Sequence, residues 1–366
     1  MAIENPFSPG FGNRPSRIVG RQEVIDRFLA GLQGRPGNRN RATFFIGQRG
    51  MGKTALLLEI AAQAESYNFI PVRVTANEKL LDNIIDKIQL QGPPYLAQKN
   101  KPIKGFSAGA LGFSFGLTFS DEVRENFGFQ SKLTLLCNEL SKHDAGLLLL
   151  VDEVHTTSEE IRELATGYQE LVGDGANIAI ALAGLPTAVS AVLNDDILTF
   201  LNRAHKEPLD MLSITDVGVY YHEVFKGLGI SMSAELIEVA AAATRGYPYL
   251  LQLIGHYLVE LGKPTMAIDP ETLALAVRNS KLDMVNTTFA PVLQPLSQKD
   301  MQFLTAMAVD DQPSRVSDIA KRLGVSGSHV QTYKVRLMAA GVIASPKRGF
   351  LEFLIPYLGE HISGEF

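Results

Sequence analysis

The stretch Ala42-Thr-Phe-Phe-Ile46, Gly47-Gln-Arg-Gly-Met-Gly-Lys53-Thr54, Ala55-Leu-Leu-Leu-Glu-Ile60 decides how this chain is read. A short apolar run predicts a buried strand, and the Ala55 stretch predicts a helix. The eight residues between them have the spacing G-x-x-x-x-G-K-[ST] of a phosphate-binding loop. Gly47, Gly50 and Gly52 let the backbone turn with its N–H groups inward, where a Cβ would interfere. Lys53 places a cation among the phosphates, the Thr54 hydroxyl suits a Mg²⁺ ligand, and the helix start adds about half a positive charge. Gln48, Arg49, Met51 and Ala55 complete the nucleotide-binding stretch, so a nucleoside triphosphate, ATP or ADP, with Mg²⁺ is the expected ligand.

The strand that must face this loop is Gly146-Leu-Leu-Leu-Leu-Val-Asp-Glu153, an unbroken apolar run ending in two acids. Such runs belong to central parallel strands buried on both faces. Asp152 is expected to hold Mg²⁺ through water, and Glu153 to orient and polarise the attacking water. An ordinary strand end with solvated acids is the alternative, which the upstream glycine loop disfavours. Asn177-Ile-Ala-Ile-Ala-Leu-Ala-Gly184 reads as another buried strand and Phe69-Ile-Pro-Val-Arg-Val-Thr75 as a further one. With helical patterns between them, the fold class is α/β: a doubly wound parallel sheet carrying its ligand at the carboxyl ends of the strands.

At 366 residues the chain is long enough for two or three domains, and 46% hydrophobic with 20% charged residues is an ordinary globular composition. The net charge of −5 argues against a protein that coats nucleic acid generally. Cys137 is the only cysteine, which excludes an intrachain disulfide, and its apolar surroundings predict a packed residue. Neither a signal pattern nor an 18-residue apolar run is present, so no membrane association and a cytoplasmic location are expected.

Residues 1–206 read as an ATPase core, 207–290 as a helical lid, and 291–366 as a helix-turn-helix module. The first 17 residues, rich in Pro, Gly and Asn, predict an arm without regular structure, followed by a helix from Gln22. Residues 92–127 form an insertion in the core. Within it, Leu111, Phe113, Phe115, Leu117 and Phe119 alternate with small or polar residues, the period of one strand with an apolar face. In the lid, Thr215 and Ser233 are expected helix caps, and Asp269-Pro270 an N-cap followed by a first-turn proline.

In the last region, Arg315 to Gly324 and Val325 to Gly341 read as two helices around a glycine turn, and Val342 to Ile355 as a hairpin tipped by Lys347, Arg348 and Gly349. This order resembles a winged helix-turn-helix. Six basic residues and no acid lie between Lys321 and Arg348, whereas Leu296 to Phe366 holds eight basic and seven acidic residues. Few phosphate contacts are therefore expected. His329, Gln331, Thr332, Lys334, Arg336, Lys347 and Arg348, with Ser328 and Tyr333, are the candidates for double-stranded DNA. A winged helix used for protein contact is the competing reading.

These residues together resemble the AAA+ and STAND branch of P-loop ATPases, particularly initiator-like (origin-recognition-like) ATPases of bacteria and archaea. Asn5-Pro-Phe with Ile18-Val-Gly-Arg21 resembles the branch's adenine-side box, Leu150-Val-Asp-Glu-Val-His155 its Walker B motif, and Gly246-Tyr-Pro-Tyr-Leu-Leu-Gln252 the Gly-x-Pro motif of its lid. The resemblance implies that Ile18 and Val19 flank adenine, that Pro248 closes on it, and that Arg203 is an arginine finger, acting in its own chain or in a neighbouring subunit. Catalysis would rest on Lys53, Glu153 and Arg203. It further implies an ATP-hydrolysing switch that assembles into homo-oligomers with nucleotide. Two departures stand out. Ala183-Gly184-Leu185-Pro186 lacks the polar sensor 1 residue, for which Thr187 is the substitute, and the lid lacks a helix-borne sensor 2 arginine. A signalling or defence switch with protein partners, and a transposition-type or secretion-type ATPase, are the other functions the motifs permit.

Overall fold

The structure is a computed structural model, and it describes residues 4–10, 12–96, 113–115, 117–155 and 158–366. These fall into two compact units. One comprises Gly20–Gly47 and Gly52–Asp210; the other comprises Met1–Val19, Gln48–Met51 and Met211–Phe366.

The first unit is built on a five-stranded sheet. Its strands are β1 (Ala42–Ile46), β2 (Phe69–Thr75), β5 (Gly146–Val154), β6 (Ile178–Gly184) and β7 (His205–Pro208), in the spatial order β2-β5-β6-β1-β7. Every neighbouring pair runs parallel. The expected α/β class and parallel sheet are therefore present, with helices Lys53–Ala64, Leu80–Gln91, Phe129–Ser141 and Glu159–Gly173 between strands. Leu147 to Val151 and Ile178 to Ala183 are buried without a break, as strands covered on both faces must be. Because β6 lies between β1 and β5, the glycine loop and the acid pair sit at the same carboxyl edge, two strand spacings of about 4.8 Å each apart.

Arg41, 2% exposed, anchors this sheet to the helix Gln22–Gln33. Its guanidinium donates to the carbonyls of Gly31, Leu32 and Gly34 and to Asn177 Oδ1, and it lies over the Phe69 ring. A cation placed on the last carbonyls of a helix satisfies groups that the helix itself leaves unpaired.

The alternating segment 111–119 is not one strand. Phe113–Phe115 (β3) pairs antiparallel with Thr118–Phe119 (β4), while Leu111, Gly112 and Gly116 lie outside the described residues. Leu117 and Phe119 are buried in the sheet's apolar cluster together with Leu133, Leu136 and Cys137, so the inner end of the insertion is part of the core.

Among its described residues the second unit is mainly helical, with a three-stranded antiparallel sheet of β8 (Ser314–Arg315), β10 (Phe350–Phe353) and β9 (Ile343–Ala344). Ser233 and Asp269 cap helices Ala234–Ala243 and Pro270–Met284 by accepting the N–H groups of Leu236 and Thr272. Thr215, by contrast, lies within the helix Ile214–Leu228, whose cap is Ser213. The helix Pro270–Met284 passes through a π turn at Val285–Phe289 into Ala290–Leu293. A π turn accommodates Pro291, which has no N–H for the ordinary ladder.

Among its described residues the Pro- and Asn-rich arm has no helix or strand, yet Asn5, Phe7 and Ser8 are docked. Phe7, 2% exposed, packs edge-on against Tyr220 and Tyr221, and its ring fills the space that a side chain at Gly255 would need. Asn5 donates to the His256 carbonyl and Glu260, and the Ser8 N–H donates to Gln252.

Candidate nucleotide site

The loop following β1 opens with the Gly47 N–H donating to the Gly184 carbonyl at 3.2 Å, which ties it to the end of β6. Gly50 and Gly52 adopt φ of +73° and +81°, conformations that suit glycine. Lys53 and Thr54 then start the helix Lys53–Ala64, with Gly52 at its N-cap. The Lys53 ammonium donates to the Gly47 carbonyl at 2.7 Å, spanning the mouth of the loop. The Thr54 hydroxyl donates to Asp152 Oδ2 at 2.7 Å, joining residues 98 positions apart.

Asp152 and Glu153 divide their environments sharply. Asp152 is 7% exposed, and its second oxygen accepts the Glu153 N–H at 2.9 Å. Adjacent residues on a regular strand point to opposite faces, but β5 is irregular here: Val151 pairs with Leu182 and Val154 with Gly184. The extra residue is a bulge, and Glu153 carries it in a left-handed conformation, φ +56°. Its side chain is 57% exposed, with His155 Nε2 3.8 Å away. The pairing of a buried acid on Thr54 with an exposed acid on a strained backbone is the kind of local conflict found at functional sites.

Gly184 makes room for this bulge. A Cβ there would come within 2.7 Å of the Val154 carbonyl. This accounts for glycine at the end of β6, and Thr187 lies exposed in the first turn of the helix Pro186–Leu193.

Among the described residues no group of three or more His, Cys, Asp or Glu could hold a metal ion. The Thr54 hydroxyl and Asp152 carboxylate fit Mg²⁺ nonetheless, because that ion prefers hard oxygens and completes its shell with water and substrate phosphates. Mg²⁺ bound there would neutralise charge on the phosphate oxygens.

Ile18, Val19 and Pro248 belong to the second unit, where the first two are half-buried and Pro248 opens the helix Pro248–Gly262. Arg203 is exposed and ends a short 3₁₀ turn before β7. Since His205 is level with Thr43 and Pro208 with Ile46, Arg203 lies at the amino edge of the sheet, opposite the glycine loop. About 13 Å of strand separates Thr43 from Gly47 at ~3.3 Å per residue. Action of Arg203 on a phosphate in its own chain is therefore excluded by the register.

The basic residues toward the chain's end are less available than their sequence suggests. Arg322 pairs with Asp310, Arg336 with Asp300, and Lys321 with Asp318 at 3.8 Å. Lys334 donates to Ser345 at 3.3 Å, and Lys347 lies over the Phe350 ring at 4.2 Å. Tyr333 is half-buried, its ring tilted against that of Phe303 with centroids 5.6 Å apart. His329, Gln331 and Thr332 are exposed on the helix Gly327–Ala339, and Arg348 lies in the β9–β10 connection.

Strand order, glycine loop and acid-bearing strand together define the fold of P-loop nucleoside triphosphatases. A Walker-type ATPase of Pyrococcus abyssi matches with TM-score 0.69 at 14% identity, over 95% of this chain and 97% of that one. The Aeropyrum pernix ORC2 protein, solved as ADPNP–ADP complexes, matches with TM-score 0.61 at 15% identity, over 97% of this chain and 94% of that one. Residues 286–362 match a family model described as a domain of unknown function, DUF8462, which starts within the π turn. No curated protein matches the chain.

Proposed function

We propose that the protein is an ATP-binding and slowly ATP-hydrolysing switch of the AAA+/STAND type. The observation that carries this reading is the 2.7 Å hydrogen bond from Thr54 to Asp152, with Glu153 lifted beside it on the bulge. Lys53 and the loop N–H groups would bind the β- and γ-phosphates, and Thr54 and Asp152 are the residues that would hold Mg²⁺. Glu153 accepts the proton of the attacking water. Phosphoryl transfer requires mainly positioning and charge neutralisation, so this set suffices in kind. Ile18, Val19 and Pro248 enclose the adenine. Arg203, with no role available in its own chain, serves the site of an adjacent copy in a nucleotide-dependent homo-oligomer. Residues 1–206 act as the core, 207–290 as the lid and 291–366 as the output module.

The order helix, short strand, two helices and hairpin supports a winged helix-turn-helix as that module. Its proposed partner is double-stranded DNA, met by His329, Gln331 and Thr332 and by the tip residues Lys347 and Arg348. Lys334 and Arg336 would add phosphate contacts only by leaving Ser345 and Asp300. The ion pairs of Arg322 and Arg336 favour a second reading in which the module docks a protein partner. Duplex binding measured across salt concentrations separates them. The first reading predicts binding that weakens with a log–log slope of about −2, for two or three phosphate contacts, and that differs between ATP and ADP states. Absence of duplex affinity at low salt in either state would leave the protein-partner reading.

A further inference from the structure

Tyr247 immediately precedes the helix Pro248–Gly262 and is 1% exposed. Its hydroxyl donates to the Arg49 carbonyl at 2.7 Å, and both residues belong to the second compact unit. Burial pushes the phenol above its ordinary pKa, so the hydroxyl keeps its proton as a donor. The next residue, Gly50, is matched to this tyrosine: a Cβ there would lie 2.1 Å from the hydroxyl oxygen and 2.4 Å from Cζ. The G-x-x-x-x-G-K-[ST] pattern leaves this position open, so the pattern itself does not demand glycine at residue 50.

A peptide group is planar and trans, with its carbonyl and N–H pointing in opposite directions. Holding the Arg49 carbonyl on Tyr247 therefore directs the Gly50 N–H away from the tyrosine. Among the described residues that N–H has no acceptor. Resting on the nucleotide-site reading above, we propose that Tyr247 is a positioning residue of that site: it fixes the Arg49–Gly50 peptide so that the Gly50 N–H is preset to donate to the triphosphate. Through this one hydroxyl, the first turn of the lid and the phosphate loop order each other.

The test is the affinity of purified full-length protein for ADP and for a non-hydrolysable ATP analogue, titrated below the unfolding temperature of each variant. Tyr247→Phe keeps the ring and removes one hydrogen bond, so affinity should fall by roughly 3- to 10-fold. The second arm is a double-mutant cycle. Gly50→Ala should weaken binding strongly in the native background and distinctly less when combined with Tyr247→Ala, because the atoms it collides with are gone. A tyrosine that merely stabilises the lid would lower the unfolding temperature and leave affinity and coupling untouched. Native affinity in Tyr247→Phe, or an equal Gly50→Ala loss in both backgrounds, overturns the proposal. Failure of the unaltered protein to bind either nucleotide overturns the nucleotide reading beneath it.

Discussion

Lys53 and Asp152 contribute in different ways. Lys53 donates to the Gly47 carbonyl and in the proposed site would also supply charge to the phosphates, whereas Asp152 is a buried acid whose partners are Thr54 and the Glu153 N–H. Lys53→Ala should lower ATP affinity at least 100-fold by calorimetry, with little change in the urea midpoint. Asp152→Asn should bind nucleotide yet lose most of the Mg²⁺ dependence of that binding, since a neutral amide holds the metal's waters poorly. Cys137 is the control. Burial raises its thiol to about 12, so native protein should resist a thiol reagent at pH 8 and react once unfolded. The glycine loop and the acids were readable because their chemistry fixes both residue type and spacing. Tyr247 was not, because its role depends on a contact 198 residues away that no local pattern encodes.

At the scale of elements, the bulge in β5 puts backbone strain at the proposed catalytic acid. Glu153 at φ +56° carries a backbone cost that glycine would not, of about 1 kcal/mol. Glu153→Gly should therefore raise unfolding stability by roughly 0.5–1 kcal/mol in urea titrations while removing turnover. Arg41 is the opposite case, a purely structural device. Arg41→Met leaves the carbonyls of Gly31, Leu32 and Gly34 without their donor and should cost about 2–4 kcal/mol. Periodicity disclosed the buried strands because a two-sided core demands unbroken apolar runs. It reads residues 111–119 as one strand because Phe113, Phe115, Leu117 and Phe119 alternate in sequence through both β3 and β4, so a hairpin and a single strand leave the same pattern. The cap at Ser213 was legible from Asp216 three residues on, a spacing that Thr215 lacks.

For the whole molecule, the register of β7 on β1 places Arg203 at the amino edge of its own sheet, so the proposed arginine finger would have to serve another copy. Turnover per subunit should accordingly rise with protein concentration, and Arg203→Ala should reduce it without altering nucleotide affinity. Mixing Arg203→Ala with Glu153→Gln protein should restore part of the lost activity, since sites with an intact glutamate would face an intact arginine. Composition discloses an arm without regular structure but not where it packs: Phe7 and Asn5 hold it on distant helices. The most direct test of the account compares ATP binding and steady-state hydrolysis in native protein and Glu153→Gln. The prediction is equal affinity with turnover reduced at least 100-fold; equal turnover in the two proteins, or no ATP binding by either, would contradict it.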